Sequence, residues 1–161
     1  MSKITPCLWF DGEAEGAAKF YVSLLPDSRI DHVQKNVSDS TAGKAGTALV
    51  VKFTLAGQSF LALNGGTRFE YTHAISFMVD CVDQAEVDRL WDALSAGGAV
   101  ERCGWLKDRY GVSWQIVPRI LPQLLGDPDP VKAQRVMQAM LQMVKLDIAT
   151  LEAARADTQA A

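Results

Sequence analysis

The side chains best suited to proton transfer, metal binding or nucleophilic attack in this sequence are His32, His73 and Cys103. His73 precedes a predicted strand, where it could be a metal ligand, a general base or a hydrogen-bonding surface residue. His32 belongs to a polar strand and is expected to face solvent. Cys103 would need a nearby cation or helix N-terminus to become a nucleophile, and the spacing supports no Cys/His/Asn triad. We therefore expect Cys103 to pack in the interior.

Large aromatic side chains form a second set of candidates, because rigid flat faces bind planar or apolar ligands at little entropic cost. The set consists of Trp9, Phe77, Trp105 and Trp114. An aromatic side chain in a strand can equally fill the core between a sheet and a helix, and strand alternation leaves both alternatives open. In the polar turn Lys107-Asp108-Arg109-Tyr110-Gly111, turn formation explains Asp108 and Gly111 without any chemistry.

The composition excludes several classes of protein. The 161 residues include 16 Lys and Arg against 19 Asp and Glu, for a net charge of -3, and the basic residues are scattered. We expect no nucleic-acid partner, because a basic stripe is missing. No apolar run reaches the roughly 18 to 20 residues that span a bilayer, and acidic residues interrupt the N-terminal region where a signal peptide would be apolar. The sequence therefore predicts a cytoplasmic protein with no membrane partner.

Hydrophobic periodicity predicts a first module over residues 1–66 with the element order βαβββ. Residues 4–10 favour a strand, and the Ala-rich stretch that follows Gly12 repeats apolar residues at helical spacing. Residues 28–37, 47–56 and 59–63 favour strands, and Gly57 supplies the turn of a hairpin. Residues 38–46 form a polar loop between two of these strands.

A second module over residues 72–118 repeats this plan. A strand over 74–80 precedes a helix for which Asp83 and Glu86 form a capping box. Strands over 100–105 and 112–117 then surround the polar turn. The inward-facing residues of the helix are predicted to be Val87, Leu90, Trp91 and Leu94.

Residues 119–161 predict a C-terminal helical extension, which we expect to pack on its own domain (residues 1–118) or on a partner subunit. Asp127-Pro128-Asp129-Pro130 suits the start of a helix. The helix that follows carries a continuous apolar stripe, predicted to be docked, of Val136, Met137, Met140, Leu141, Val144, Ile148 and Leu151.

The tandem βαβββ plan, with Trp9-Phe10-Asp11-Gly12 before the first helix and Asp108-x-x-Gly111 before the last strand, resembles the vicinal oxygen chelate or glyoxalase-like superfamily. Three segments look like its PhnB-like branch: Ile75 to Asp80, Cys103 to Pro118 and Met143 to Ala149. The resemblance implies an α+β fold in which a curved sheet from each module forms a cleft, and it implies a homodimer.

The same resemblance implies a divalent metal held by about four His, Gln or Glu side chains. This sequence has Thr5, Pro6 or Cys7 where a first-strand His is usual, and Ala62 or Asn64 where a Glu is usual. It has Gln115 in place of the last Glu. Among these positions, His73 is the one whose residue matches the ligand that the resemblance implies. Neutral amides and hydroxyls bind divalent ions weakly. We expect no cofactor, and a weakly bound divalent metal is the remaining alternative.

Members of this branch often carry the label 3-demethylubiquinone-9 3-methyltransferase. A methyltransferase of the usual kind would show a Gly-rich turn from strand to helix in a doubly wound parallel sheet. Gly65-Gly66 opens no predicted helix, so we expect no methyl transfer.

These observations predict a small, partly apolar metabolite as the ligand, bound without a tight metal. The expected ligand-binding residues are Trp9, Asn64, His73, Trp105 and Gln115. An alternative is a metal-dependent lyase, isomerase or dioxygenase-like enzyme that uses His73 with Gln115 and Asn64. A third alternative is an interaction module that acts through its C-terminal helix.

Overall fold

The computed structural model describes residues 3 to 156. The chain divides between Glu70 and Tyr71 into two compact units, here called unit 1 and unit 2. Each unit contains a four-stranded mixed sheet, which confirms the predicted α+β class with two βαβββ modules. The outer ends of the predicted domains, residues 1–2 and 157–161, lie outside the described residues.

Unit 1 has the predicted element order. Its strands are β1 (Cys7–Phe10), β2 (Arg29–Lys35), β3 (Ala48–Leu55) and β4 (Gln58–Asn64), and its helix is α1 (Ala14–Val22). The sheet order is β1-β4-β3-β2, with β1 parallel to β4 and the other pairs antiparallel. The hairpin turn between β3 and β4 has positive φ at Ala56 and Gly57. Glycine adopts a positive φ at little cost, which suits Gly57 to this turn.

The core of unit 1 lies between α1 and one face of the sheet. The predicted helical period holds, since Ala14, Ala17, Ala18 and Tyr21 are buried. Tyr21 stacks on Phe53 at a ring distance of 6.4 Å, and Phe53 stacks on Phe60 at 5.4 Å. This aromatic column ties α1 to β3 and β4.

Unit 2 repeats the plan. Its strands are β5 (Phe77–Cys81), β6 (Ala99–Val100), β7 (Trp105–Lys107) and β8 (Ser113–Pro118), and its first helix is α2 (Gln84–Ser95). The sheet order is β5-β8-β7-β6. Asp83 caps α2 as predicted, because its carboxylate accepts a hydrogen bond from Glu86 N at 2.8 Å. All four predicted inward-facing residues of α2 are buried.

The predicted strand over residues 100–105 is wrong. β6 ends at Val100, a turn follows, and β7 begins at Trp105. In this turn Cys103 has φ 58° and Gly104 has φ 81°, which strand geometry does not allow. Glu101 N donates to Trp105 O, and Trp105 N donates to Arg102 O. The backbone thus closes on itself instead of continuing as a strand.

The predicted single helix of the extension is also wrong. The extension contains α3 (Leu121–Leu125), α4 (Pro130–Gln142) and α5 (Ile148–Ala156). The chain leaves α4 at Met143 because the carbonyls of Met143 and Val144 accept hydrogen bonds from Cys103 N and Gly104 N at 2.9 and 2.8 Å. Long-range backbone bonding therefore overrides the local helical pattern.

This break divides the predicted apolar stripe. A cluster of Leu121, Leu124, Val136, Leu146 and Leu151 is buried. By contrast, Met137, Leu141 and Val144 are 41%, 48% and 45% exposed. Within one chain the stripe is therefore docked in part, and the break at Met143 also buries Leu146, which the helical period left out. Docking of the exposed part on a partner subunit stays a prediction.

Hydrogen bonds attach the extension to α2. The side chain of Gln84 donates from Nε2 to Leu146 O at 3.1 Å and accepts at Oε1 from Ile148 N at 2.8 Å. Lys145 and Asp88 form an ion pair at 2.7 Å. In residues 3 to 156, no helix has the length and apolar character needed to cross a membrane.

Candidate functional site

Each sheet has one face covered by its helix and an opposite face, called here the open face of that unit. In unit 2, strand register places Met78, Gln115 and Trp105 side by side across β5, β8 and β7. Met78 is 65% exposed, and Gln115 and Trp105 are half-buried. This row combines an apolar thioether, an indole and an amide on adjacent strands.

His73 and Glu101 form a pair beside this row. The Nε2 atom of His73 lies 2.7 and 2.8 Å from the two carboxylate oxygens of Glu101. The ring centre of His73 lies 6.2 Å from that of Trp105. The side chains of His73 and Glu101 are 53% and 29% exposed, so both can reach a ligand. A carboxylate at Nε2 fixes the orientation of the imidazole.

A second polar pair fixes the Gln115 amide. Its Nε2 donates to Ser76 Oγ at 2.9 Å, which leaves the amide oxygen as an acceptor in the row. Ser113 lies two residues earlier on the same strand face, and it is buried. Within residues 3 to 156, the Ser113 hydroxyl has no hydrogen-bond partner.

In unit 1, Trp9 lies in register with Leu63. Its indole covers Gly65, where a Cβ atom would come within 1.7 Å of the ring. The Nε1 atom donates to Thr67 O at 2.6 Å, and the ring makes an edge contact with Phe69 at 5.3 Å. Trp9 thus holds residues 65–69 against the sheet.

Asn64 is buried in unit 1, with 4% of its surface exposed. Its Oδ1 accepts a hydrogen bond from Ala14 N at the start of α1, at 3.0 Å, and its Nδ2 donates to Ala48 O at 2.9 Å. Asn64 therefore points to the helix side of its sheet. Both polar ends of the amide are used by the backbone of unit 1.

The structure thus brings together three of the five predicted ligand-binding residues, His73, Trp105 and Gln115, in unit 2. Trp9 and Asn64 belong to unit 1. Sequence analysis missed Glu101, because residues 100–105 were interpreted as a strand, and it missed Ser76. Local sequence carries no signal for either pair, because Glu101 lies 28 residues from His73 and Ser76 lies 39 residues from Gln115.

The other aromatic candidates belong to the core. Phe77 and Trp114 pack on each other at 5.4 Å. Trp114 is buried, and its Nε1 donates to Asp108 Oδ2 at 2.9 Å. The other Asp108 oxygen accepts from Tyr110 N and Val112 N. The turn role predicted for Asp108 therefore holds, with Trp114 as an additional partner.

The donors present do not fit the tight metal site that the superfamily resemblance implies. His73 and Glu101 supply two donors, whereas tight sites use about four. Ala62 and Asn64 are buried on the helix side of β4. In the described part of the chain, no group of three or more His, Cys, Asp or Glu side chains could hold a metal ion.

The thiols do not present an activated nucleophile. Burial, followed by the charges of Glu86 and Asp80, raises the pKa of the Cys81 thiol to about 12. Burial also raises the pKa of the Cys7 thiol. Cys103 donates its Sγ–H to Met140 O at 3.6 Å, which agrees with the packing role expected for it.

The sequence and the fold both have known relatives. The family model for 3-demethylubiquinone-9 3-methyltransferase matches residues 2–117. A structure from Bacillus cereus, described as a putative 3-demethylubiquinone-9 3-methyltransferase, PhnB protein, is 36% identical. The match covers 73% of this chain and 99% of that one, with a TM-score of 0.67.

More distant structures share the fold alone. Protein PA1353 from Pseudomonas aeruginosa is 20% identical, with coverage of 73% and 98% and a TM-score of 0.62. The fosfomycin resistance protein FosX from Listeria monocytogenes is 12% identical, with coverage of 73% and 93% and a TM-score of 0.50. No curated protein matches this sequence. The matching family model and the Bacillus cereus relative show that the chain belongs to the 3-demethylubiquinone-9 3-methyltransferase-like (PhnB) family.

Proposed function

We propose that this protein binds a small, partly apolar metabolite on the open face of unit 2 without a tight metal. The observation that carries the proposal is the row of Met78, Gln115 and Trp105 with the His73–Glu101 pair beside it. Small-molecule sites typically combine a mostly apolar surface with a small number of polar groups.

The side chains in this row favour a particular kind of ligand. Trp105 offers a flat indole and Met78 an adaptable thioether, which suit a planar or branched apolar group. The Gln115 oxygen accepts a hydrogen bond, and Nδ1 of the neutral His73 ring accepts one as well, because Nε2–H donates to Glu101. A ligand with hydroxyl donors next to an apolar body would satisfy both groups.

The family description names a methyltransferase, and the fold gives this activity no support. The sheets described here are mixed and four-stranded, and the usual methyl-donor site requires a doubly wound parallel sheet. Gly66 packs against the backbone of Thr41, where a Cβ atom would come within 1.8 Å of its carbonyl oxygen. This pair of glycines therefore serves loop packing and starts no helix.

The proposal is tested by protein-observed NMR with a set of small aromatic alcohols and diols. We expect hits to shift the indole N–H of Trp105 and the side-chain amide of Gln115. His73→Ala should weaken binding about tenfold, as expected for one lost hydrogen bond to a ligand. His32→Ala is the matched control, since His32 is an exposed histidine in unit 1. Equal effects of the two substitutions would contradict the proposal.

The alternative of a metal-dependent lyase, isomerase or dioxygenase-like enzyme rests on His73 and Glu101 as two adjacent donors. The metal content of protein purified without chelator separates the two proposals. About one ion per chain, with a rise in Tm on addition of Mn, Fe, Ni or Zn, would favour the enzyme, since native-state binding raises stability. Loss of this rise in His73→Ala would assign the metal to this pair.

We also propose that the protein forms a homodimer. The exposed apolar side chains of Met137, Leu141 and Val144 on one side of α4 and the following segment support this proposal. Light scattering coupled to size exclusion should give twice the chain mass. Leu141→Asp should reduce it toward one chain mass. A monomer in both samples would reject the proposal.

A further inference from the structure

A cavity of about 640 Å³ lies in unit 1. Its walls come from α1, β2, the loop of residues 36–47 and the ends of β3 and β4. The lining includes Glu15, Val33, Lys35, Ala42, Lys44 and Ala48. The volume lies in the range that suits small-molecule ligands.

The loop wall of this cavity is held in place by its own contacts. Buried Asn36 donates from its backbone N to Thr47 O at 2.8 Å, and its side chain donates to Thr47 Oγ1 at 3.1 Å. Ser40 and Gly43 form a two-way backbone bridge. Gly43 leaves no room for a Cβ atom, which would lie 2.8 Å from Thr47 Oγ1. The cavity is therefore a built feature of the fold.

The charges around the cavity favour a singly charged anion. Lys35 and Lys44 both line it. Glu15 lines it as well, but its carboxylate is bound to Lys19 at 2.7 Å. The Lys19 hydrogen bond and, to a smaller extent, the Lys35 charge lower the pKa of Glu15. Asp39 lies 3.6 Å from Lys44. A dianion would be repelled by these carboxylates, whereas a monoanion can face Lys35.

The apolar part of the lining supplies the rest of the site. Val33, Ala42 and Ala48 leave space for a short hydrocarbon body next to the lysines. We infer that the cavity binds a small monocarboxylate, with its carboxylate at Lys35 and Lys44 and its apolar body against Val33, Ala42 and Ala48. This site is distinct from the one on unit 2, and it does not depend on the proposed function.

Butyrate and its neutral isostere butyramide are the probes for the experiment. The backbone amides of Gly12, Gly43 and Gly46, which also line the cavity, are followed by NMR at constant ionic strength. We expect butyrate to shift these amides in a saturable way and butyramide to bind at least about tenfold more weakly, because charge-assisted hydrogen bonds to lysine are lost. Equal binding of the two compounds, or tighter binding of inorganic phosphate, would overturn the assignment.

Two variants locate the binding. Lys35→Gln should weaken butyrate binding about tenfold, and the control Lys52→Gln, at an exposed lysine on β3, should leave it unchanged. Ala42→Phe should fill the cavity and abolish the shifts while the remaining spectrum stays that of the folded protein. Unchanged butyrate binding in Lys35→Gln and Ala42→Phe would refute the site.

Discussion

Asn64 on the last strand of unit 1 caps the first helix of that unit, because its side-chain oxygen accepts a hydrogen bond from Ala14 N at 3.0 Å. Glu13, the residue before the helix, makes no such bond with its side chain. A residue 50 positions away in sequence thus satisfies a helix N–H group that would otherwise be unpaired. This bond therefore joins the start of α1 to the end of the interior strand β4.

Asn64→Ala should lower the free energy of unfolding by about 1 to 3 kcal/mol, because one buried and one partly buried backbone group lose their partner. Gln58→Ala, on the exposed end of the same strand, should change it by less than about 0.5 kcal/mol. Urea denaturation measures both. A cost for Gln58→Ala as large as that for Asn64→Ala would contradict the capping role.

Leu146→Ala should destabilise the protein by about 2 to 5 kcal/mol, since Leu146 is fully buried in the cluster of the extension. Val131→Ala is the matched control, because Val131 is exposed on α4, and it should cost less than about 1 kcal/mol. Chemical denaturation followed by circular dichroism gives the values. A cost for Val131→Ala as large as that for Leu146→Ala would contradict the predicted contribution of Leu146.

Ser113→Ala should leave stability unchanged or raise it, because removal of a buried hydroxyl without a partner also removes its desolvation cost. Thr54→Val provides the contrast, since the Thr54 hydroxyl donates to Asp31 at 2.7 Å and the substitution should cost about 1 kcal/mol. Thermal unfolding compares the two variants. A marked loss of stability in Ser113→Ala would reveal a partner for this hydroxyl.

Cys81 should resist alkylation in the folded protein. A thiol with a pKa of about 12 is ionised in only about one molecule in ten thousand near pH 8, and burial adds a steric barrier. Iodoacetamide followed by peptide mass spectrometry should label Cys81 only after guanidinium is added. Cys103 is half-buried and serves as the internal reference. Rapid labelling of Cys81 in the native protein would refute the burial.

The extension should loosen first in acid. Three carboxylates in or beside the extension have a lowered pKa because they accept hydrogen bonds. Asp88 accepts from Lys145 and Gln84, and Asp127 accepts from Arg155 and the Asp129 backbone. Asp147 accepts from Thr150. Because these folded-state pKa values lie below the unfolded ones, the stabilisation is present above about pH 4 and is lost as the pH falls further.

Hydrogen exchange of the α4 and α5 amides between about pH 6 and pH 3 measures this effect, after correction for the intrinsic rates. We expect protection to decrease there before it decreases in β3 and β4. Simultaneous loss in both units would argue against a role for these carboxylates.

Local signals were sufficient for most of the elements. The spacing of Ala14, Ala17, Ala18 and Tyr21 predicted α1, and Asp83 with Glu86 predicted the start of α2, because side-chain period and capping are properties of a few adjacent residues. The motif around Asp108 and Gly111 indicated the family. The sequence also pointed to His73, Trp105 and Gln115, which the structure places on one side of unit 2.

Long-range contacts determined the features of the fold and the site that local sequence did not predict. The helix of the extension breaks at Met143 because the backbone of Cys103 and Gly104 captures the carbonyls of Met143 and Val144. Glu101 meets His73 only because the turn before β7 replaces a predicted strand. The side-chain amide of Asn64 is bonded to Ala14 N and Ala48 O, because sheet pairing brings these distant segments next to it. The sequence alone determined which residues tend to form each element, whereas tertiary hydrogen bonds, which local propensity cannot encode, determined which side chains remained available to a ligand.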